Sequence, residues 1–170
     1  MSTTGTWFRS WPSGGRSTLS TTLLVRHADA GSREKWHGDD RLRPLSKRGL
    51  HQAEALVGLL AELPLERLLS SPYLRCVQTL EPLGRSRGVK VETAEELAEG
   101  AGLEAAQGLI RRLGEVPAAL CIHGDVCLDL LDELVSKRVI TRDQARCQKA
   151  STWVLENGAG PKTARYLSAP

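Results

Sequence analysis

The run Thr21 to Val25, which is apolar or β-branched throughout, constrains the fold of this chain more than any other feature. A run that is apolar on both parities is typical of a strand covered on both faces of a parallel sheet. The run Ala118 to Ile122 has the same character, and shorter strands are predicted over residues 65–70 and 89–92. The sequence therefore predicts a central sheet built mainly from parallel strands.

Segments with helical periodicity separate these strands. The first predicted helix follows Ser46, a favourable N-cap residue, and Pro64 closes it. Its predicted apolar face consists of Leu50, Ala53, Val57 and Leu60. Further helices are predicted from Ser71 and Pro72 onward, over residues 103–113, and after Ile122, the last with Leu128, Leu131 and Leu134 as its apolar residues. Strands that alternate with helices predict a three-layer α/β/α sandwich.

The domain organisation is simple. Two more strands are predicted over residues 151–155 and 163–167, with a turn at Asn157-Gly158 between them. Residues 1–20 are rich in Ser, Thr and Gly and lack periodicity, so we expect a flexible leader there. Residues 21–170 are expected to form one domain, because no internal repeat or second core is visible.

Composition excludes several function classes. The net charge of +3 is too small to argue for binding to a nucleic acid polymer. No apolar run approaches the roughly 20 residues that span a membrane, and residues 1–20 lack the apolar segment of a secretory signal. The four cysteines form no C-x-x-C pair, so neither a zinc site nor a disulfide framework is predicted. We expect a cytoplasmic protein.

Distinctive polar residues follow the predicted parallel strands at their carboxyl ends. The first strand ends in Arg26 and His27, and the second leads within a helical turn to Arg75. The fourth ends in His123. Ligands of parallel sheets bind at this edge, and two imidazoles and two guanidiniums would repel one another there unless an anion lay between them. Arginine can hold two phosphate oxygens and neutral imidazole is a nucleophile, so the group predicts a site that binds and attacks a phosphoester.

Other hydrolase chemistries lack their motifs in this sequence. There is no G-x-S-x-G elbow, no G-x-x-x-x-G-K-[ST] loop and no H-E-x-x-H helix. No cysteine is followed six residues later by arginine, as a cysteine phosphatase would require. His37 and His51 do not follow strands, and we expect His51 to be structural. Of these hydrolase chemistries, only one with a histidine nucleophile is left.

Four motifs resemble the histidine phosphatase superfamily, which is also called phosphoglycerate-mutase-like. They are LLVRHADAG, RPLSKRGLHQAEAL, SSPYLRCVQT and CIHGD, and the resemblance covers about residues 21–156. The chain is most similar to the short SixA-type phosphohistidine phosphatases and to the C-terminal histidine-phosphatase domain of mycobacterial MutT-type Nudix proteins. The latter share the character of AGSREKWHGDDRLRPLSKRG and KASTWVL. The resemblance implies a phosphoglycerate-mutase-like fold and phosphatase activity.

The resemblance also implies roles for individual residues. His27 would become a transient phosphohistidine, with its other ring nitrogen held by a backbone carbonyl. Arg26, Arg75 and His123 would hold the phosphoryl oxygens, with His123 protonated. This chemistry requires neither a metal ion nor an organic cofactor.

Two positions near these motifs leave questions open. Glu99 ends an L-x-E segment like the one that carries the proton donor in some family members, so we expect Glu99 rather than Glu96 to be the donor. Ala28 replaces the usual glycine after the R-H pair, and Asp29 stands where a carboxylate next to phosphate would be unfavourable. Asp29 is expected either to turn away or to bind a basic group of the substrate.

The segment from Arg33 to Arg48 is rich in cations. As a flap over the site it would favour polyanionic substrates, with Arg43 as a substrate-binding residue, whereas as a solvated loop it would have no such role. The predicted partners are a phosphorylated small molecule, a nucleotide or a phosphoprotein. Two alternatives stay open: a phosphoglycerate-mutase-type phosphotransferase and a non-catalytic phosphate-binding regulatory module.

Overall fold

The structure is a computed structural model that describes residues 20–156 and 160–170. Within that part the strands are β1 (Thr21–Arg26), β2 (Arg67–Ser70), β3 (Val91–Thr93), β4 (Ala118–Ile122), β5 (Thr152–Glu156) and β6 (Thr163–Leu167). The α-helices are α1 (Lys47–Leu59), α2 (Leu74–Arg87), α3 (Leu103–Leu113) and α4 (Gly124–Ser136). The predicted leader, apart from Ser20, and the predicted turn at Asn157-Gly158 lie outside the described residues.

All six strands form one mixed sheet in the order β3-β2-β4-β1-β5-β6. The four strands from β3 to β1 are parallel, and β5 and β6 run antiparallel on the other side of β1. The expectation of a mainly parallel sheet is therefore confirmed. β1 lies at the centre beside β4, so the residues that follow these two strands emerge next to each other.

Helices cover both faces of the sheet. Leu23 and Val25 of β1 pack with apolar residues of α1 and α2. Leu24, which points the opposite way, packs with α3 and α4. The run that is apolar on both parities thus has two hydrophobic environments, and the predicted three-layer α/β/α sandwich is confirmed. Over the two described ranges, no helix combines the length and the hydropathy of a bilayer span.

The buried face of α1 differs from the predicted face. Leu50 was expected in the core but is 46% exposed. The buried residues of the helix are Gly49, Gln52, Ala53 and Leu56. Gly49 carries no apolar side chain, so hydrophobic periodicity could not identify it, yet its backbone lies against the carbonyl of Asp29. Because Gly49 faces the Asp29 carbonyl, the next residue, Leu50, lies on the exposed side of the helix.

Two other predictions about the helices differ from the structure. α2 begins at Leu74 with Tyr73 as its N-cap residue, so the prediction of Ser71 as N-cap and Pro72 as first helical residue was wrong. The Ser71 hydroxyl lies 2.8 Å from Nε2 of His123 and accepts from the N–H of Tyr73 at 3.3 Å. Leu128 on α4 is 58% exposed, although its neighbours Leu131 and Leu134 on that helix are buried as expected.

Candidate active site

The ends of β1 and β4 bring two histidines together. The His27 N–H donates to the Ile122 carbonyl at 3.1 Å, which fixes the register of the two strand ends. The ring centroids of His27 and His123 lie 5.4 Å apart, and both residues are buried. Two imidazoles at this separation can contact the same tetrahedral ion, as the sequence predicted.

The His27 ring is held in one tautomer by the backbone. Its Nδ1 lies 2.8 Å from the Ala28 carbonyl oxygen, which can only accept, so Nδ1 carries the proton. The Ala28 N–H is held in turn by the Thr79 hydroxyl of α2 at 3.0 Å. Nε2 therefore keeps its lone pair, as an attacking nitrogen requires.

Burial lowers the pKa of His27 to about 3. The bond to the Ala28 carbonyl opposes this decrease, while the charges of His123, Arg75 and Arg26 add to it. His27 is consequently neutral over the physiological pH range, and its lone pair is not lost to a proton.

This pKa predicts an acid-sensitive fold. Between pH 6.5 and 3 the unfolded chain binds a proton at residue 27 that the folded chain does not, so stability decreases as pH falls through this window. Between pH 7 and pH 5, we expect wild type to lose about 2 kcal/mol more unfolding free energy than His27→Ala. Urea unfolding at both pH values in phosphate-free buffer measures this difference. His51→Ala, an exposed change, should track wild type, and an identical pH dependence for His27→Ala would contradict the prediction.

His123 is oriented by α2 and the residues before it. Its Nε2 lies 2.8 Å from the Ser71 hydroxyl oxygen. Its Nδ1 lies 3.5 Å from Nη2 of Arg75, which can only donate. These contacts hold the His123 ring between Ser71 and Arg75. Protonation of His123 during the reaction stays a prediction.

Arg75 is a buried guanidinium, only 1% exposed. Its Nη1 donates to the Asp40 carbonyl at 2.8 Å, and its Nη2 lies 3.0 Å from one carboxylate oxygen of Asp40 and 3.0 Å from one of Glu99. The Tyr73 ring stacks against it with 4.6 Å from Cζ to the ring centroid. These contacts fix Arg75 beside His123.

Arg26 reaches the site from the other side. Its Nη1 donates to the Cys147 carbonyl, and its guanidinium packs so closely on Gly124 that a Cβ there would lie 3.0 Å from Nη2. The Nε atoms of Arg26 and Arg75 are both buried and have no partner among the described residues. Because buried N–H groups are rarely left without an acceptor, each of these two donors needs a partner that the described residues do not supply.

The two candidate proton donors, Glu99 and Glu96, contact different residues. Glu99 contacts Arg75 and also accepts from Arg33 at 2.5 Å. Glu96 instead pairs with Arg112 on α3. Glu99 and not Glu96 is therefore the carboxylate that contacts Arg75, and its role as the proton donor stays a prediction.

Arg43, predicted to bind substrate, contacts another residue of the segment from Arg33 to Arg48 in this structure. Arg43 is 7% exposed and donates to a carboxylate oxygen of Asp40 at 2.8 Å and to the Ala30 carbonyl at 2.8 Å. Arg43 therefore stabilises the segment from Arg33 to Arg48 through internal hydrogen bonds.

The Asp29 carboxylate binds Lys149 at 2.8 Å and Ser46 at 2.6 Å. The bond from Lys149 contributes most, and together with the bond from Ser46 it lowers the pKa of the Asp29 carboxyl to about 2, although partial burial opposes this decrease.

Sequence reasoning missed Asp40, Ser71 and Tyr73. Asp40 contacts Arg75 and lies within the cationic flap, where two adjacent acids among arginines were the available signal. Ser71 was assigned to a helix cap, which concealed its bond to His123. Tyr73 contacts both His123 and Arg75 through its ring, and no pattern in the sequence indicated this.

Comparison with known proteins agrees with this geometry. Residues 22–103 match the family model of the histidine phosphatase superfamily (branch 1). The 8-oxo-(d)GTP phosphatase of Mycolicibacterium smegmatis is 35% identical over 156 residues, which cover 88% of this chain and 48% of that protein. The chain thus spans about half the length of this relative.

Solved structures share the fold at low identity. The SixA protein from Agrobacterium tumefaciens has a TM-score of 0.73 at 23% identity, covering 89% of this chain and 99% of that chain. The mycobacterial glucosyl-3-phosphoglycerate phosphatase has a TM-score of 0.63 at 17% identity, covering 87% and 97%. Fold and site define an α/β sandwich with paired histidines at the sheet edge. Together with the matching family model, they place the chain in the histidine phosphatase superfamily.

Proposed function

We propose that this protein is a metal-independent phosphatase that transfers a phosphoryl group to His27 and then to water. One observation carries the proposal: the bond from Nδ1 to the Ala28 carbonyl leaves the Nε2 lone pair of a neutral His27 beside two positively charged arginines. A nucleophile in this state needs no separate base to activate it.

The first step forms the bond between Nε2 and phosphorus while the bond from phosphorus to the leaving oxygen or nitrogen breaks. Charge on the three equatorial oxygens is stabilised by Arg26, Arg75 and a protonated His123. The buried, unpartnered Nε–H groups of the two arginines are suited to this, because they gain an acceptor only when the anion is present. The leaving group takes from Glu99 the proton that Glu99 accepted from water in the second step of the preceding cycle, and Glu99 is left ionised.

The second step returns His27 to its starting state. Glu99 accepts a proton from water as the water oxygen attacks phosphorus, the bond to Nε2 breaks, and inorganic phosphate departs. The contacts of Glu99 with Arg33 and Arg75 are those of an ionised carboxylate, which is the form that this step requires.

Nucleotide phosphates are the substrate class that we propose first. The relative from Mycolicibacterium smegmatis is an 8-oxo-(d)GTP phosphatase, and the chain aligns with about half of it. The segment from Arg33 to Arg48 also carries two exposed cations, Arg33 paired with Asp40 and Glu99 and Arg41 paired with Glu95, and a polyanion could exchange for these carboxylates. Phosphorylated small molecules and phosphoproteins remain predicted partners, and cytoplasm remains the predicted compartment.

A phosphate-release screen over nucleotides, sugar phosphates and phosphohistidine protein tests the proposal. We expect release of free phosphate by wild type, fastest from a nucleotide, and none above background by His27→Ala. A coupled assay for transfer between positions of phosphoglycerate runs in parallel. Transfer without release would favour a phosphotransferase, and phosphate binding without turnover of any substrate would favour a regulatory module; either result would overturn the proposal.

A further inference from the structure

Asp40 connects the flap to the buried arginine of the site. Its two carboxylate oxygens accept from three guanidiniums, namely Arg33 and Arg43 at 2.8 Å each and Arg75 at 3.0 Å. Its backbone carbonyl accepts from Arg75 as well. Burial alone would raise the pKa of the Asp40 carboxyl, but the bonds from Arg33 and Arg43 and the charge of Arg75 hold it well below its usual range. Asp40 is therefore a permanent anion.

The contacts of Asp40 hold the two terminal nitrogens of the Arg75 guanidinium and do not involve its Nε–H. Asp40 binds Nη1 through its backbone and Nη2 through its carboxylate, a two-point hold on the terminal nitrogens. The Nε–H is not held by Asp40, is buried, and has no partner among residues 20–156 and 160–170, while Nη2 also contacts Glu99. An oxyanion that reaches Nε–H when substrate binds would satisfy this donor without displacing Asp40.

We propose that Asp40 is a positioning residue that acts through Arg75, holding its terminal nitrogens so that Nε–H is directed at the substrate phosphoryl group. This inference rests on the proposed phosphatase function. The same side chain binds Arg33 and Arg43 of the flap, so the flap is ordered by the contact that orients Arg75. Flap order and phosphate binding are thereby coupled through one carboxylate.

A double-mutant cycle between Asp40 and Arg75 tests the proposal with p-nitrophenyl phosphate as substrate and inorganic phosphate as competitive inhibitor. Asp40→Asn removes the charge while keeping the backbone carbonyl. We expect kcat/KM to fall about 10- to 100-fold, because a displacement of about 1 Å can cost that much. The inhibition constant of phosphate should rise as well. In Arg75→Lys the target of Asp40 is gone, so adding Asp40→Asn should cost less than about twofold more.

Asp39→Asn is the matched control. Asp39 caps the short helix that carries Asp40, and asparagine preserves that cap, so kcat/KM should stay within about twofold of wild type. Urea unfolding confirms that each variant is folded under assay conditions. A purely structural Asp40 would give losses that add to those of Arg75→Lys, and this result, or an Asp40→Asn enzyme equal to wild type, would overturn the inference. If the wild type itself hydrolyses neither p-nitrophenyl phosphate nor the substrates of the screen, that result would instead contradict the proposed function.

Discussion

Replacing His27 with alanine is expected to reduce turnover by about 10⁴-fold or more, because the variant has no atom that can accept the phosphoryl group. The oxyanion-binding groups Arg26, Arg75 and His123 stay in place, so binding of inorganic phosphate should persist. Steady-state phosphate release and phosphate titration, performed on the same preparation, separate these two effects.

His51→Ala is the control for this substitution. His51 is exposed on α1, so its removal should leave turnover within about twofold of wild type. A His27→Ala enzyme that keeps a tenth of wild-type turnover would show that another group receives the phosphoryl group or that water attacks directly.

Gly49→Ala is expected to have the largest effect on stability. A Cβ at this position of α1 would lie 1.9 Å from the carbonyl oxygen of Asp29, so helix and loop must separate. That oxygen also accepts from the Ser46 N–H at 2.9 Å, which ties the loop to the start of the helix. We expect a loss of about 3 kcal/mol in unfolding free energy. Turnover should also fall about 100-fold, because the displaced loop contains the Ala28 carbonyl that orients His27.

Gly58→Ala provides the matched comparison on the same helix. Nothing lies within 4 Å of a Cβ there, so alanine should stabilise α1 by about 0.5 to 1 kcal/mol through its higher helix propensity. Urea unfolding of both variants measures the two opposite effects. Equal stabilisation by the two substitutions would show that Gly49 of α1 is not in close contact with the Asp29 carbonyl.

The strand ends could be predicted from the sequence because hydrophobic patterning determines them. β1 and β4 are apolar on both parities, and the polar residues after them had to emerge at one edge once the strands were parallel. This reasoning brought His27 and His123 together correctly. Arg75 followed from its distance of one helical turn after β2.

Side-chain contacts within the flap could not be predicted in the same way. Arg43 and Arg33 have the same chemistry, yet one is buried against Asp40 and the Ala30 carbonyl and the other is 58% exposed. Which arginine faces inward depends on the path of an irregular loop, and no periodicity encodes that path. The contact of Gly49 escaped prediction for a related reason, since it depends on the absence of a side chain.

The identity of the residue that carries the phosphoryl group is the central claim, and trapping the covalent intermediate tests it most directly. Wild-type enzyme is mixed with the best substrate of the screen, quenched in alkali within milliseconds to preserve a phosphorus–nitrogen bond, and digested for mass spectrometry. We expect one added phosphoryl group on the peptide that contains His27, localised to that side chain. Phosphate release with no covalent intermediate, or a phosphoryl group on any other residue, would contradict it.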